Sequence, residues 1–314
     1  MTEQQKTYSQ MRKEFYENYQ KKIVPKVRIY DDERKNKNIF SIIIIIICTI
    51  ISGLILYYIR ISGMSDDAAE ALGNLAFIIF VGGIGIRFGM KKSFENTIKE
   101  KIMPIVCPCF GDMSWSHSLY NDKEYIKASK VIPEYTSSLF DDIFIGSYKN
   151  VPYHIIESEY EIGSGKNRKV VFNGVIVRID MNKNFGGHTV IRPDNLLHIA
   201  DGVGHLKRTT LEDVVFEKKF DVYTDDEVEA RYLITPSFME RLNNMKTAFK
   251  ADKVSCAFHE SHLFVALHTR KDLFSLCSLT KPIDDSRQYF EMYEEMVSIV
   301  KLIDHFKLEQ KIGL

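Results

Sequence analysis

A chain of 314 residues has room for one sizeable domain or two small ones. Its 42 Lys and Arg balance 42 Asp and Glu, so it lacks the global cation excess with which nucleic-acid binders displace counterions from phosphates. Hydrophobic residues at 45% and aromatics at 12% supply a packed core and exclude a disordered chain; the five cysteines are odd in number, form no disulfide framework and fit a reducing compartment.

Residues 1–38 are mostly polar and basic. From Ile39 to Ile59 no charge occurs across 21 positions, enough at ~1.5 Å per residue to cross a hydrocarbon core of about 30 Å. Six consecutive isoleucines, Ile42 to Ile47, leave no polar face, so a core helix of a soluble protein does not fit. The run is also too long, and starts too late, for the apolar part of a signal peptide. Residues 60–70 form a short turn carrying Arg60 against Asp66, Asp67 and Glu70. Residues 71–89 are a second spanning candidate. Ala71 to Ile86 is uncharged, and Arg87 falls near an interface where its long side chain can snorkel. Gly82, Gly83, Gly85 and Gly89 are expected to let the two helices approach, with Gly85 and Gly89 spaced as a GxxxG pair. Both outer flanks are basic: Lys21, Lys22, Lys26, Arg28, Arg34, Lys35 and Lys37 before the first helix, Arg87, Lys91, Lys92, Lys99 and Lys101 after the second. This pattern predicts a multi-pass protein of the inner or plasma membrane with both termini cytoplasmic. The cations are expected to set topology; the alternative is that they also bind anionic lipid headgroups, at ~1 kcal/mol each near the surface.

The remaining residues, 90–314, read as a soluble cytoplasmic α+β domain: an antiparallel sheet flanked by helices. Helices are expected over Lys91–Ile102, ending at the breaks set by Pro104 and Pro108, and from a cap at Asn121 to Ile132. The period then shifts to two. Ile143–Tyr148 and Tyr153–Ile162 predict a hairpin around Lys149-Asn150, and Lys169–Met181 a long strand with one face of Val171, Asn173, Val175, Val177, Ile179 and Met181. Further strands are expected at His188–Arg192 after the Gly186-Gly187 turn, and at Glu212–Phe216, Phe220–Tyr223 and Glu229–Ile234. Thr235 caps a helix running to about Phe249, with Pro236 at its first position and Ile234 placed to staple onto Met239. Val254–His259 and His262–His268 form a hairpin across Glu260-Ser261. A last helix, about Ser286–Glu309, buries Tyr293, Val297, Val300 and Ile303 at helical spacing.

Three stretches carry a family resemblance: FNGVIVRIDMNKNFGGHTVIRPD over Phe172–Asp194, FEKKFDVYTDDEVEARYLITPSFMERL over Phe216–Leu242, and AFHESHLFVALHTRKDLF over Ala257–Phe274. They resemble the bacterial family catalogued as domain of unknown function 3137, sometimes labelled galanin. Ser138-Leu139-Phe140 and the Gly146 to Glu157 stretch also fit, so the resemblance covers roughly residues 90 to 280. It implies two N-terminal membrane helices before the domain. It supplies no catalytic residues, because the family's biochemical function is not established. Proximity of some members to LemA-family proteins implies other membrane proteins as partners by context alone.

Several constellations point to chemistry. Cys107-Pro108-Cys109 with His117 offers three zinc-type donors, but the pair is spaced too closely and a second pair is missing; a kink with two reduced thiols, one open to palmitoylation, fits better. Cys256, His259, His262 and His268 look like a metal cluster until strand parity is applied. A two-residue turn pairs His259 with His262 and Cys256 with Val265, which puts Cys256 on the face opposite the histidines and leaves those two in a solvated turn. Asp180, Asn182 and Asn184 begin like a calcium loop, but Phe185 and Ile191 replace the required glycine and acid. Gly163-Ser164-Gly165-Lys166 lacks the first glycine and the final Ser or Thr of a phosphate loop. No GxSxG or HExxH motif occurs. The densest acidic set is Asp225, Asp226, Glu227 and Glu229. Asp225, Asp226 and Glu229 are the candidate catalytic residues; read as a strand, Glu227, Glu229 and Arg231 instead make a surface ladder. No metal and no cofactor is expected. The reading that fits best is a membrane-anchored interaction or scaffolding module contacting the bilayer, with no nucleic acid and an open oligomeric state. The alternatives are an enzyme of unrecognised type at Asp225–Glu229, and a small oligomeric membrane assembly.

Overall fold

The computed structural model describes residues 7–110, 112–117, 123–181, 183–193, 203–211, 217–269, 271 and 273–310. Two compact units result: one of Met1–Phe15, Val106–Phe274 and Phe290–Leu314, the other of Tyr16–Ile105 and Ser275–Tyr289.

The second unit contains two helices long and apolar enough to cross a membrane, α3 (Asp31–Ser62) and α4 (Asp66–Val106), preceded by α1 (Tyr8–Asn18, shared with the first unit) and the short α2 (Val24–Arg28). In the most apolar stretch of each long helix only 11% of residues are buried. The chain turns at Gly63, whose φ of +57° ends α3 in the left-handed conformation glycine adopts without strain. The seam between α3 and α4 uses the few polar and small residues of the apolar runs. Ser52 Oγ donates to the Ala76 carbonyl at 2.8 Å, and Arg87 donates to Ser41 Oγ at 2.7 Å and Asn38 Oδ1 at 3.2 Å. Ser41, Ile45, Cys48 and Ser52 recur at heptad spacing along this seam. Gly83 is the glycine at the contact: a Cβ there would lie 2.9 Å from Cys48 Cβ, whereas Gly82, Gly85 and Gly89 have nothing within 4 Å. The expected GxxxG pair is therefore not the packing face. In the same unit residues 275–289 are tied to the helices before the apolar run, Tyr19 Oη donating to the Asp284 carbonyl at 2.7 Å and Arg34 to the Leu279 carbonyl at 2.7 Å.

Lys91–Ile102 is not a separate helix. It continues α4, and its expected stripe Phe94, Ile98 and Ile102 is buried. Pro104 does not break the helix because it sits in the last turn, where its missing N–H costs a single bond.

The first unit is built on one antiparallel sheet. Its strands are β1 (Asp112–Ser116), β2 (Ser137–Tyr148), β3 (Val151–Ile162), β4 (Lys169–Asp180), β5 (Thr189–Pro193), β6 (Lys207–Thr209), β7 (Phe220–Thr224), β8 (Lys253–His259) and β9 (His262–His268). Among the described residues the order is β1-β2-β3-β4-β9-β8-β5-β7-β6. The β2–β3 turn is Lys149-Asn150, both left-handed (φ +53° and +62°), as a two-residue hairpin of the primed type requires. The centre of the sheet is buried on both sides. One face, Ile143, Ile156, Ile176, Ala257 and Phe264, packs with Ile126 of α5 (Lys123–Ser129) and with Val131 and Ile132. On the other, Phe238 of α7 (Pro236–Ala248) meets Phe258 at 5.4 Å between ring centres. Phe15 of α1 packs with Phe110 and with Tyr293 of α8 (Ser286–Gln310), and Asp304 accepts from Tyr8 Oη at 2.6 Å. Tyr293, Val297, Val300 and Ile303 are buried, as their spacing predicts.

Three boundaries differ. Glu229–Ile234 is not a strand but part of helix α6 (Glu227–Leu233). The helix expected to reach Ile132 stops at Ser129, because Lys130 is left-handed (φ +56°). Strand β2 begins at Ser137, six residues before the alternation becomes regular. The cap at Asn121 and the strand at Glu212–Phe216 lie outside the described residues.

Thr235 caps α7 as its sequence predicts, accepting from the Phe238 N–H at 3.2 Å, with Pro236 in the first turn and Ile234 and Phe238 buried. Thr235→Ala is expected to lower stability by about 1 kcal/mol. Thermal unfolding of the full chain in detergent measures this; an unchanged midpoint means the hydroxyl contributes nothing.

Candidate functional site

The acidic set Asp225, Asp226 and Glu229 clusters around the Gly186-Gly187 turn, and each carboxylate accepts from backbone N–H groups. Asp226 is the N-cap of α6, accepting from Val228 at 3.0 Å and Glu229 at 2.9 Å. Glu229 accepts from Gly186 at 3.0 Å and Gly187 at 2.7 Å, and Asp225 from His188 at 2.6 Å. A Cβ on Gly187 would lie 2.6 Å from Asp226 Cβ, so glycine is what lets the turn approach this closely. The expected ladder along a strand is replaced by an i,i+4 contact on a helix, Arg231 to Glu227 at 3.5 Å. The imidazole of His205 lies 3.5 Å from Asp225. Burial pushes His188 down to about 4, so its ring is neutral at neutral pH, where Nε2 lies 2.8 Å from the Ser129 carbonyl and the ring centre 4.3 Å from that of His259.

A second acidic group escaped sequence reasoning. Asp141, Asp142 and Glu157 bring their carboxylate oxygens within 4.8 Å of one another. A bulge produces this: the register steps from Phe140 opposite Ser158 to Ile143 opposite Ile156, so both aspartates face the single residue Glu157. Asp142 is fully buried and accepts from Trp115 Nε1 at 2.7 Å; Glu157 accepts from the Leu273 N–H at 2.8 Å. Three hard oxygen donors at this spacing suit a divalent cation such as Mg²⁺ or Ca²⁺. The available signal was two successive acids breaking the alternation of an otherwise apolar strand.

The cysteines are placed for packing. Cys107 and Cys109 are buried in a short 3₁₀ turn, Cys107–Phe110. Burial pushes the Cys107 thiol up to about 12. His117 is exposed, its ring 5.7 Å from that of Trp115. Cys256 pairs with Val265 and His259 with His262, as parity predicts, and Cys256 is wholly buried. The turn is less solvated than expected: His262 is only 13% exposed and lies 3.6 Å from the Asp180 carboxylate.

No curated protein matches the chain. Among solved structures it is similar to the crystal structure of the mycobacterial trehalose monomycolate transport factor A, TtfA, at 9% identity and a TM-score of 0.35, covering 61% of this chain and 86% of that one. Similarity at that level carries no functional argument. The match to a family model begins later and ends later than the stretch resembling the family in sequence, yet it contains all three stretches quoted for it. Residues 170–308 match the family described as protein of unknown function (DUF3137).

Proposed function

We propose that this chain is a membrane-anchored interaction or scaffolding module whose two ends lie in the cytoplasm. The observation that carries the reading is the α3–α4 hairpin, which is apolar outside and polar inside. Ile43, Ile46, Ile47, Ile50, Leu54, Phe77, Ile78 and Phe88 are exposed, while Ser41, Ser52 and Arg87 hydrogen-bond along the seam. That arrangement suits lipid and is unfavourable in water. Basic flanks and an acidic turn support the inside orientation. The catalytic alternative at Asp225, Asp226 and Glu229 is weakened because all three carboxylates already accept from backbone N–H groups that would lose their partners.

Single cysteines at the exposed positions Ser65 and Ser164, in a chain without its native cysteines, test the orientation. A membrane-impermeant maleimide applied to intact cells should modify Ser65→Cys and not Ser164→Cys, with the protein retained in membranes after alkaline extraction. Labelling at Ser164, or release by alkali, defeats the reading.

A further inference from the structure

Helix α5 lies on one apolar face of the sheet, where Ile126, with Val131 and Ile132 just after the helix, packs with Ile143, Ile156, Ile176 and Phe264. A helix of seven residues is marginal on its own, so its attachments decide whether it stays. The carbonyls of its last turn have no partner within the helix. Two side chains at the β5 end of the sheet supply partners there. His188 Nε2 lies 2.8 Å from the Ser129 carbonyl, and Arg192 donates to the Lys130 carbonyl at 2.8 Å. Lys130 in turn donates to the Val203 carbonyl at 3.1 Å. One turn earlier, the Tyr125 ring lies 5.1 Å from the His262 ring and 5.2 Å from the Arg178 guanidinium.

Both contacts of α5 therefore involve a histidine. A carbonyl only accepts, so the neutral His188 ring carries its proton on Nε2. The ring is buried against His259, which stands opposite His262 in the β8–β9 pairing. The charged groups facing His188 are Lys130 after α5, His259 of β8 and Asp225 after β7, and His205 is 3.5 Å from the same Asp225 carboxylate. Burial dominates and opposes a second proton; His259 and Lys130 act in the same sense, the Ser129 contact and Asp225 against it. Burial also lowers His262, together with Arg178 and His259 and against Asp180 and Glu260. Acid thus adds charge under both contacts that hold the helix.

We propose that α5 is an acid-released strap: protonation of His188 detaches its C-terminal end and uncovers the apolar sheet face beneath. Once α5 lifts, His188 returns to the ordinary histidine value near ~6.5, whereas under the closed helix it is held at about 4. The open form therefore takes up the proton first, and acid favours opening. From pH 7 to pH 5 the opening constant should rise roughly twentyfold, with roughly sevenfold of that between pH 6 and pH 5. The device makes the sheet-bearing unit responsive to acidification, a property that membrane anchoring neither needs nor supplies.

Hydrogen exchange read by mass spectrometry on the full chain in detergent tests this at pH 7, 6 and 5, with rates corrected for the intrinsic pH dependence of amide exchange. In the natural chain, protection of amides 127–131 should fall by the factors above while that of β4 and β9 holds. His188→Gln keeps a donor for the Ser129 carbonyl but does not titrate, so protection of the same amides should be equal at all three pH values. The slope in the natural chain decides the matter even if His188→Gln does not fold. Unchanged protection of α5 between pH 7 and pH 5, a loss spread evenly over the sheet, or an undiminished fall in His188→Gln overturns the proposal.

Discussion

Replacing Gly174 with alanine is expected to destabilise the sheet-bearing unit by about 3–5 kcal/mol, summing steric overlap and backbone strain. Gly174 is buried in the middle of β4, opposite His268 of β9, with φ at +149°, a conformation side chains rarely adopt. A Cβ there would lie 2.0 Å from the Leu267 carbonyl oxygen and 2.9 Å from the Thr269 N–H. Both are backbone atoms of the neighbouring strand and its continuation, and Thr269 N–H already donates to the Asn173 carbonyl at 3.0 Å. Relief therefore requires parting β4 from β9 at the centre of the sheet. Gly186→Ala is the matched control. Its Cβ would meet only Glu229 Oε2 at 3.7 Å, an ordinary contact, so its effect should stay within about 0.5 kcal/mol. Chemical unfolding of both variants in detergent gives the comparison; equal midpoints would refute the close approach at Gly174.

The second large effect depends on pH. Glu295 is buried on α8, and burial followed by the nearby Glu291 carboxylate pushes its carboxyl up to about 8. The folded state then holds a proton that the unfolded chain releases near ~4.3. A raised acid makes stability fall as pH rises from about 4.3 to 8, at ~1.4 kcal/mol per pH unit, and level off above. Glu295→Gln removes that dependence while keeping size and shape. The variant should match the natural chain at pH 4 and exceed its stability by on the order of 3–5 kcal/mol at pH 8. Denaturant unfolding of both chains across this range measures the difference. A constant difference between the two would mean that Glu295 titrates normally.

Where one local rule governed a segment, the sequence was a sound guide. Uncharged runs fixed the two long helices, the Thr235-Pro236 pair fixed the start of α7, and strand parity placed Cys256 opposite Val265. Helix α6 was misread because Val228, Ala230 and Tyr232 alternate, although burial falls on Ala230 and Leu233, three residues apart. Asp226 followed three residues later by Glu229 was the overlooked start signal. The Asp141, Asp142 and Glu157 group was illegible for another reason: its members meet through a bulge between paired strands, and no spacing along the chain encodes that. Of the four glycines expected to bring the hairpin helices together, only Gly83 lies at the contact, because spacing such as the GxxxG of Gly85 and Gly89 says nothing about which face the partner occupies.

The contact between Tyr8 and Asp304 spans 296 positions of sequence, and Phe15 reaches Tyr293 in the same way. During synthesis the first of these residues leaves the ribosome long before the last exists. At about 5–20 residues per second the interval is on the order of 15–60 s. Residues 8–15 therefore wait without their packing partners while the apolar hairpin and the whole sheet are made. The sheet-bearing unit completes its core only when α8 emerges, which makes its closure a late, high-contact-order event. A fragment that starts after Phe15 never closes in this way, and it leaves the aromatic surface of Phe110 and Tyr293 open to water.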